Sequence, residues 1–112
     1  MIEVPAVAVI FRSVRRVDDG VDYTATAERM AHMLREQDGF LGMDSVRDSN
    51  TGVGITVCYW RDDECIRRWR DVGEHRDAQL RGAQEWYESY DVVVADVTRS
   101  YSGGPSQNQH PT

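Results

Sequence analysis

Two stretches at opposite ends of the chain, Val4–Ser13 (VPAVAVIFRS) and Tyr90–Tyr101 (YDVVVADVTRSY), would be apolar on both faces if extended. β-Branched residues dominate them, which favours strands. Alternation puts Val7, Val9 and Phe11 on one side of the first stretch and Ala6, Ala8 and Ile10 on the other. In the last, Val92 and Val94 oppose Val93, Ala95 and Val97. A strand that is apolar on both faces needs cover on both. Any fold for this chain must therefore cover its first and last strands twice. Pro5 has no N–H to donate and is tolerable only near the start of the first strand.

Between these strands the pattern changes twice from a period of two to a period of 3.6. Arg15–Gly20 (RRVDDG) reads as a polar connection, and Asp22 can cap a helix whose stripe is Tyr23, Ala27, Met30 and Leu34. Gly39 ends that helix. Phe40–Arg47 follows as a strand with Leu41 and Met43 on one face, and DSNTG at residues 48–52 is turn chemistry. Val53–Trp60 completes a hairpin, with Ile55, Val57 and Tyr59 opposite Thr56, Cys58 and Trp60. Asp62, Asp63 and Glu64 place negative charge where a second helix would begin, and Cys65, Ile66 and Trp69 are its inward residues. Val72 and Gly73 interrupt it before a longer helix from Glu74 to Tyr87. On that helix Asp77, Arg81 and Glu85 form an exposed charged ladder opposite His75, Ala78, Gln79, Gly82 and Trp86.

The order β, α, β, β, α, β is that of an α+β, ferredoxin-like domain, with helices on one face of a four-stranded antiparallel sheet. One sheet face is then left open, and the last strand is an edge. The doubly apolar strands predict a homodimer with sheets packed face to face, a dimeric α+β barrel. A chain of 112 residues fits one domain, taken as residues 1–101, with 102–112 (SGGPSQNQHPT) as a disordered tail. A formal charge of −6 argues against nucleic acid. The apolar run before Arg12 is too short to span a bilayer and lacks a basic flank, so a cytoplasmic protein without membrane partners is expected. Cys58 and Cys65 fall in different elements without nearby histidines, which predicts reduced, mostly packed thiols and neither a disulfide framework nor a zinc site.

The segment Tyr59–Tyr90 holds all three tryptophans. Together with Gly39 and Phe40, its Tyr59–Trp60, Trp69, Glu74–His75, Ala78, Gln79 and Trp86–Tyr87 resemble the antibiotic biosynthesis monooxygenase superfamily. The resemblance spans about residues 4–101 and implies a small dimeric ferredoxin-like fold with a pocket between sheet and helices. Members include cofactor-free monooxygenases of activated phenols and quinols, haem-degrading enzymes and isomerases, so the fold leaves the chemistry open. By spacing from Trp69, the proximal histidine of the haem-degrading members falls on Gln79, and their first-strand asparagine is absent. Both departures disfavour haem degradation. Quinol-type members often carry histidine where Trp69 stands, a further departure.

His75 is the candidate catalytic base, because an imidazole titrates near pH ~6.5 and can take a phenolic proton. Its alternative role is to cap the helix or plug the pocket mouth. Trp69, Trp86, Tyr59 and Gln79 are the candidate substrate-binding residues for a small aromatic molecule. The tryptophans serve equally as core, since each buries a large area whatever the ligand, and Gln79 serves equally as helix packing. Arg47 and Arg61, each at a strand end, could meet an acidic substituent or lie at the surface. Two functions stay open: a cofactor-independent monooxygenase of a phenol or quinol, and a non-catalytic ligand-binding or structural homodimer.

Overall fold

The computed structural model describes residues 2–16, 22–72, 76, 77, 81 and 85–105. These form β1 (Ala6–Arg15), α1 (Asp22–Arg35), β2 (Phe40–Arg47), β3 (Val53–Trp60), α2 (Asp63–Arg70) and β4 (Tyr87–Val97) in the ferredoxin-like order. The four strands make one antiparallel sheet in the order β2-β3-β1-β4, so the first strand is central and the last is an edge.

The hairpin strands have the expected limits. Their turn is fixed by Asp48, whose carboxylate accepts from the Asn50 N–H at 3.1 Å and the Thr51 hydroxyl at 2.9 Å. These bonds, the Asn50 one first, hold the Asp48 carboxyl below its ordinary range. Gly52 follows at φ 77°, a conformation that suits glycine. At the second helix Asp62 accepts from the Cys65 N–H at 3.0 Å, a side-chain N-cap that satisfies one of the donors a helix start leaves unpaired.

Several boundaries differ from expectation: β1 begins at Ala6 and β4 ends at Val97, inside the expected Val4 and Tyr101, and three others shift for reasons the backbone shows. β1 runs on through Arg15 because its backbone still finds partners there: the Arg15 N–H donates to the Gly52 carbonyl at 3.1 Å and that of Arg16 to the Trp86 carbonyl at 2.9 Å. The same extension recruits Tyr87 and Ser89 into β4 across an irregularity at Val14/Arg15, so Tyr87 is a strand residue and not the end of a helix. α1 ends at Arg35, and Gly39, at φ 83°, instead sets the entry into β2. The expected Asp22 cap depends on the preceding loop, which lies outside the described residues, as do most of the expected 74–87 helix and the tail beyond residue 105.

The register assigns each side chain to a face. Val7, Val9, Phe11 and Ser13 of β1 align with Trp60, Cys58, Thr56 and Gly54 of β3. In β2 a register shift between Phe40 and Gly42 takes Leu41 out of step, so Phe40 joins Met43 on that face and Leu41 is exposed. This is the helix-covered face. Its apolar cluster is Leu34, Trp60, Cys65 and Trp69, with Met30, Met33, Phe40, Met43, Cys58 and Ile66 packed around it. The opposite face presents Ile10, Ile55, Val57, Tyr59 and Val93.

Candidate functional site

The helix-covered face is apolar at one end and polar at the other. At the polar end, where β1 and β2 finish and β3 and β4 begin, five aromatic rings meet two arginines. Phe11 packs edge-on to Tyr87 at 5.4 Å between centroids and lies 5.7 Å from Tyr90. Tyr23, from the first turn of α1, is 5.5 Å from Trp86 and 6.0 Å from Tyr87. The Arg15 guanidinium stacks on the Tyr23 ring at 3.6 Å, within the range of a cation–π contact.

Arg47 is built into this end from below. Its guanidinium donates to the Gly52 carbonyl at 2.6 Å, the Ser13 hydroxyl at 2.9 Å, and the Ser13 carbonyl and Tyr23 hydroxyl at 3.4 Å. Gly54 makes the space, since a Cβ there would stand 2.5 Å from the guanidinium carbon. Ser13 is fully buried beneath it. The Tyr87 hydroxyl donates to that of Tyr23 at 3.5 Å, so the Tyr23 oxygen receives donors from two sides. Burial, then the bond to Tyr23, pushes the Tyr87 phenol well above its ordinary value. Burial also lowers the Arg15 pKa, and Arg47 nearby lowers it further.

The sequence candidates separate in this geometry. Trp69 is buried in the apolar cluster with Trp60 and Cys65, while Trp86 is buried at the polar end against Tyr23, with the Arg81 guanidinium 5.0 Å from its ring. Tyr59 does not join them. It sits opposite Ala8 and Gly42, on the open face, because Cys58 and Trp60 on either side of it point toward the helices and strand residues alternate. His75 and Gln79 lie outside the described residues.

Of the expected charged ladder, Arg81 and Glu85 pair at 3.1 Å and Asp77 is exposed. Of the two strand-end arginines, Arg61 is bound to Asp38 at 2.9 Å and to Asp62 at 3.3 Å, while Arg47 faces the aromatic rings. By periodicity Tyr23 belongs to a core stripe, and Phe11, Arg15 and Tyr87 carry no site signal at all. Four different elements supply this group, and no spacing within one segment marks it. Among the described residues no group of three His, Cys, Asp or Glu side chains converges as a metal site.

This sheet and its helix-covered face are shared with known proteins. The sequence profile of the antibiotic biosynthesis monooxygenase family matches residues 18–81. The chain belongs to that family. It is 48% identical over 97 residues to the uncharacterized protein YqjZ of Bacillus subtilis, covering 87% of this chain and 83% of that one. It is 30% identical over 94 residues to a jasmonate monooxygenase of Pyricularia oryzae, covering 83% of this chain but 44% of the larger fungal protein. Among solved structures, Rv0793 of Mycobacterium tuberculosis superposes with a TM-score of 0.75 at 20% identity, over 87% of this chain and 99% of that one. SnoaB, a cofactor-independent oxygenase of Streptomyces nogalater, superposes with a TM-score of 0.70 at 12% identity, over 86% of this chain and 96% of that one. At these identities the structures establish the shared fold. No described helix is long and apolar enough to cross a membrane.

Proposed function

We propose that this protein is a cofactor-independent monooxygenase acting on an aromatic phenol- or quinol-like small molecule. The observation that carries this reading is the polar aromatic end of the helix-covered face, where Phe11, Tyr23, Trp86 and Tyr87 stand beside two guanidinium groups. Family membership supports it, as do a jasmonate monooxygenase among the relatives and a cofactor-independent oxygenase among the structural neighbours. In the proposed reaction His75 takes a proton from the substrate, and the resulting anion gives an electron to dioxygen. The radical pair joins as a peroxide anion, His75 returns its proton to make the hydroperoxide, and this loses water, so a CH2 group plus O2 becomes a carbonyl plus H2O. Every electron comes from the substrate. Gln79 and Trp86 are the remaining proposed wall, with Tyr23 and Tyr87 replacing Tyr59, which lies on the open face, and Trp69, which is buried in the apolar cluster at the other end. Oxygen uptake with naphthols and anthrones should be about a hundredfold or more slower in His75→Ala, the scale of general-base catalysis. Equal rates in the two proteins would remove His75 from the mechanism.

The working unit in this proposal is a homodimer. β4 is an edge strand with Val92, Val93 and Val94 each more than half exposed, so neither of its faces is covered along its middle within one chain. Val46 and Ile55 add exposed apolar surface on the open face. A second copy packed sheet to sheet would bury these groups. Sedimentation at micromolar concentration should give twice the 12.8 kDa chain mass, and Val93→Glu should shift it toward the monomer. A wild-type protein that sediments only as the monomer rejects the dimer.

A further inference from the structure

Arg47 is half-buried, and each of its four hydrogen-bond partners, the two Ser13 oxygens, the Gly52 carbonyl and the Tyr23 hydroxyl, is uncharged. Among the described residues no carboxylate is paired with it. A cation taken partly out of water keeps much of its desolvation cost when only neutral groups surround it. The Arg15 guanidinium stacks on the same Tyr23 ring, whose centroid lies 6.0 Å from that of Arg47. Elsewhere on the surface the opposite arrangement holds: Arg61 and Arg68 share Asp38, and Arg67 and Arg68 meet Glu64. The charge at the Arg47 end calls for an anion.

We propose that this end of the helix-covered face recognises the acidic group of an aromatic ligand, a carboxylate or ionised phenol. Arg47 supplies the positive charge, and Tyr23 is the contact residue. The Tyr23 oxygen accepts from Arg47 and Tyr87, which leaves its own O–H to donate. That hydroxyl lies next to the rings of Trp86 and Tyr87, against which an aryl group would stack. Arg47 acts mainly through its charge, because its terminal N–H groups are already used by Ser13, Gly52 and Tyr23. Gly54 keeps the guanidinium seated on the strand. The assignment rests on the reading that this face binds a small aromatic molecule, and it narrows the ligand to an acidic one.

The test uses an isosteric pair, 2-naphthoate and naphthalene-2-carboxamide, titrated at neutral pH against the full chain by tryptophan fluorescence and calorimetry. 2-Naphthol is added at pH values either side of its ionisation, to separate phenolate from carboxylate recognition. The wild type should bind naphthoate about tenfold more tightly than the amide, the scale of one charge-assisted contact. Arg47→Gln should bring that ratio close to one by weakening naphthoate far more than the amide. Tyr23→Phe removes only the hydroxyl and should lower naphthoate affinity about threefold, and it decides the matter if Arg47→Gln does not fold. A wild-type ratio below about threefold, or one that survives the substitutions that fold, overturns the proposal. Binding and oxygen uptake are read separately. Charge-selective binding without turnover sinks the monooxygenase reading alone, whereas His75-dependent turnover without charge selectivity sinks this inference alone.

Discussion

An arginine stands near each end of the β2–β3 hairpin, and the two have opposite surroundings. Arg61, just past β3, lies at the surface between Asp38 and Asp62, and the Asp38 hydrogen bond holds it firmly protonated. Arg47, closing β2, sits over Gly54 among neutral oxygens and aromatic rings. Around Arg61 the sheet packs into the apolar cluster of Trp60, Cys65 and Leu34; around Arg47 it packs into tyrosines, a serine and a second arginine. The same hairpin therefore has one arginine held by carboxylates and another whose hydrogen-bond partners are all neutral. The first end is organised for stability, and the second is the end we propose as the ligand site.

Substitutions at the two ends should separate these roles. Trp60 is 1% exposed and central to the cluster, so Trp60→Ala should cost about 3–5 kcal/mol in urea unfolding, the largest effect expected. A loss below about 1 kcal/mol would mean that this end is not the stabilising one. At the same end, Gly39→Ala forces a side chain onto a φ of 83° and against Cys65, and about 1–3 kcal/mol should be lost. Gly54→Ala, its counterpart at the polar end, meets first the tip of Arg47, the far end of a long side chain. It should therefore cost about 1 kcal/mol or less while weakening acidic ligands several-fold, and a stability loss matching Gly39→Ala would erase the distinction.

Two smaller effects come from titration. Burial pushes the Cys58 thiol up to about 11 from an ordinary 9.0. A raised folded pKa contributes stability that is present below the unfolded value and is lost as pH rises through 9 toward 11. Unfolding free energy should fall over that window by on the order of 1–2 kcal/mol, and Cys58→Ala should shallow the fall. An unchanged slope in the variant would exclude Cys58 as its source. The Asp38 carboxyl is lowered by its hydrogen bond to Arg61, so its contribution is present above the ordinary carboxylate range and is lost as pH falls through the depressed value. Asp38→Asn should give the smallest change, removed by salt and by acid, because the pair is exposed. A salt-independent loss would contradict that placement.

The strands, the hairpin turn and the α2 cap are legible in the sequence because each depends on neighbours in the chain. Alternation in Val53–Trp60, the DSNTG turn and the acidic start at Asp62–Glu64 are local patterns, and the structure has all three where expected. The candidate site is legible only in pieces. Trp86 and Arg47 stand out by residue type and position, but aromatic character alone also draws in Tyr59, although its parity in β3 puts it on the other face. Tyr87 reads as helical when the helix period is carried one residue past Trp86. Pairing with Arg15, which sets the true start of β4, is a contact across the sheet that periodicity does not report.

By itself the sequence determined the order of elements, the fold class and the need for cover on both faces of the first and last strands. These follow from side-chain period and turn chemistry, which act over a few residues. Only the tertiary structure decided that Ser13, Tyr23, Arg47, Gly54 and Tyr87 form one group, because it depends on strand register and on the seat of α1 against the sheet. A shift of one residue in that register would turn Ser13 and Arg47 away from the helices and dissolve the group. Phe11 would go with them, and the charge on Arg47 would return to water.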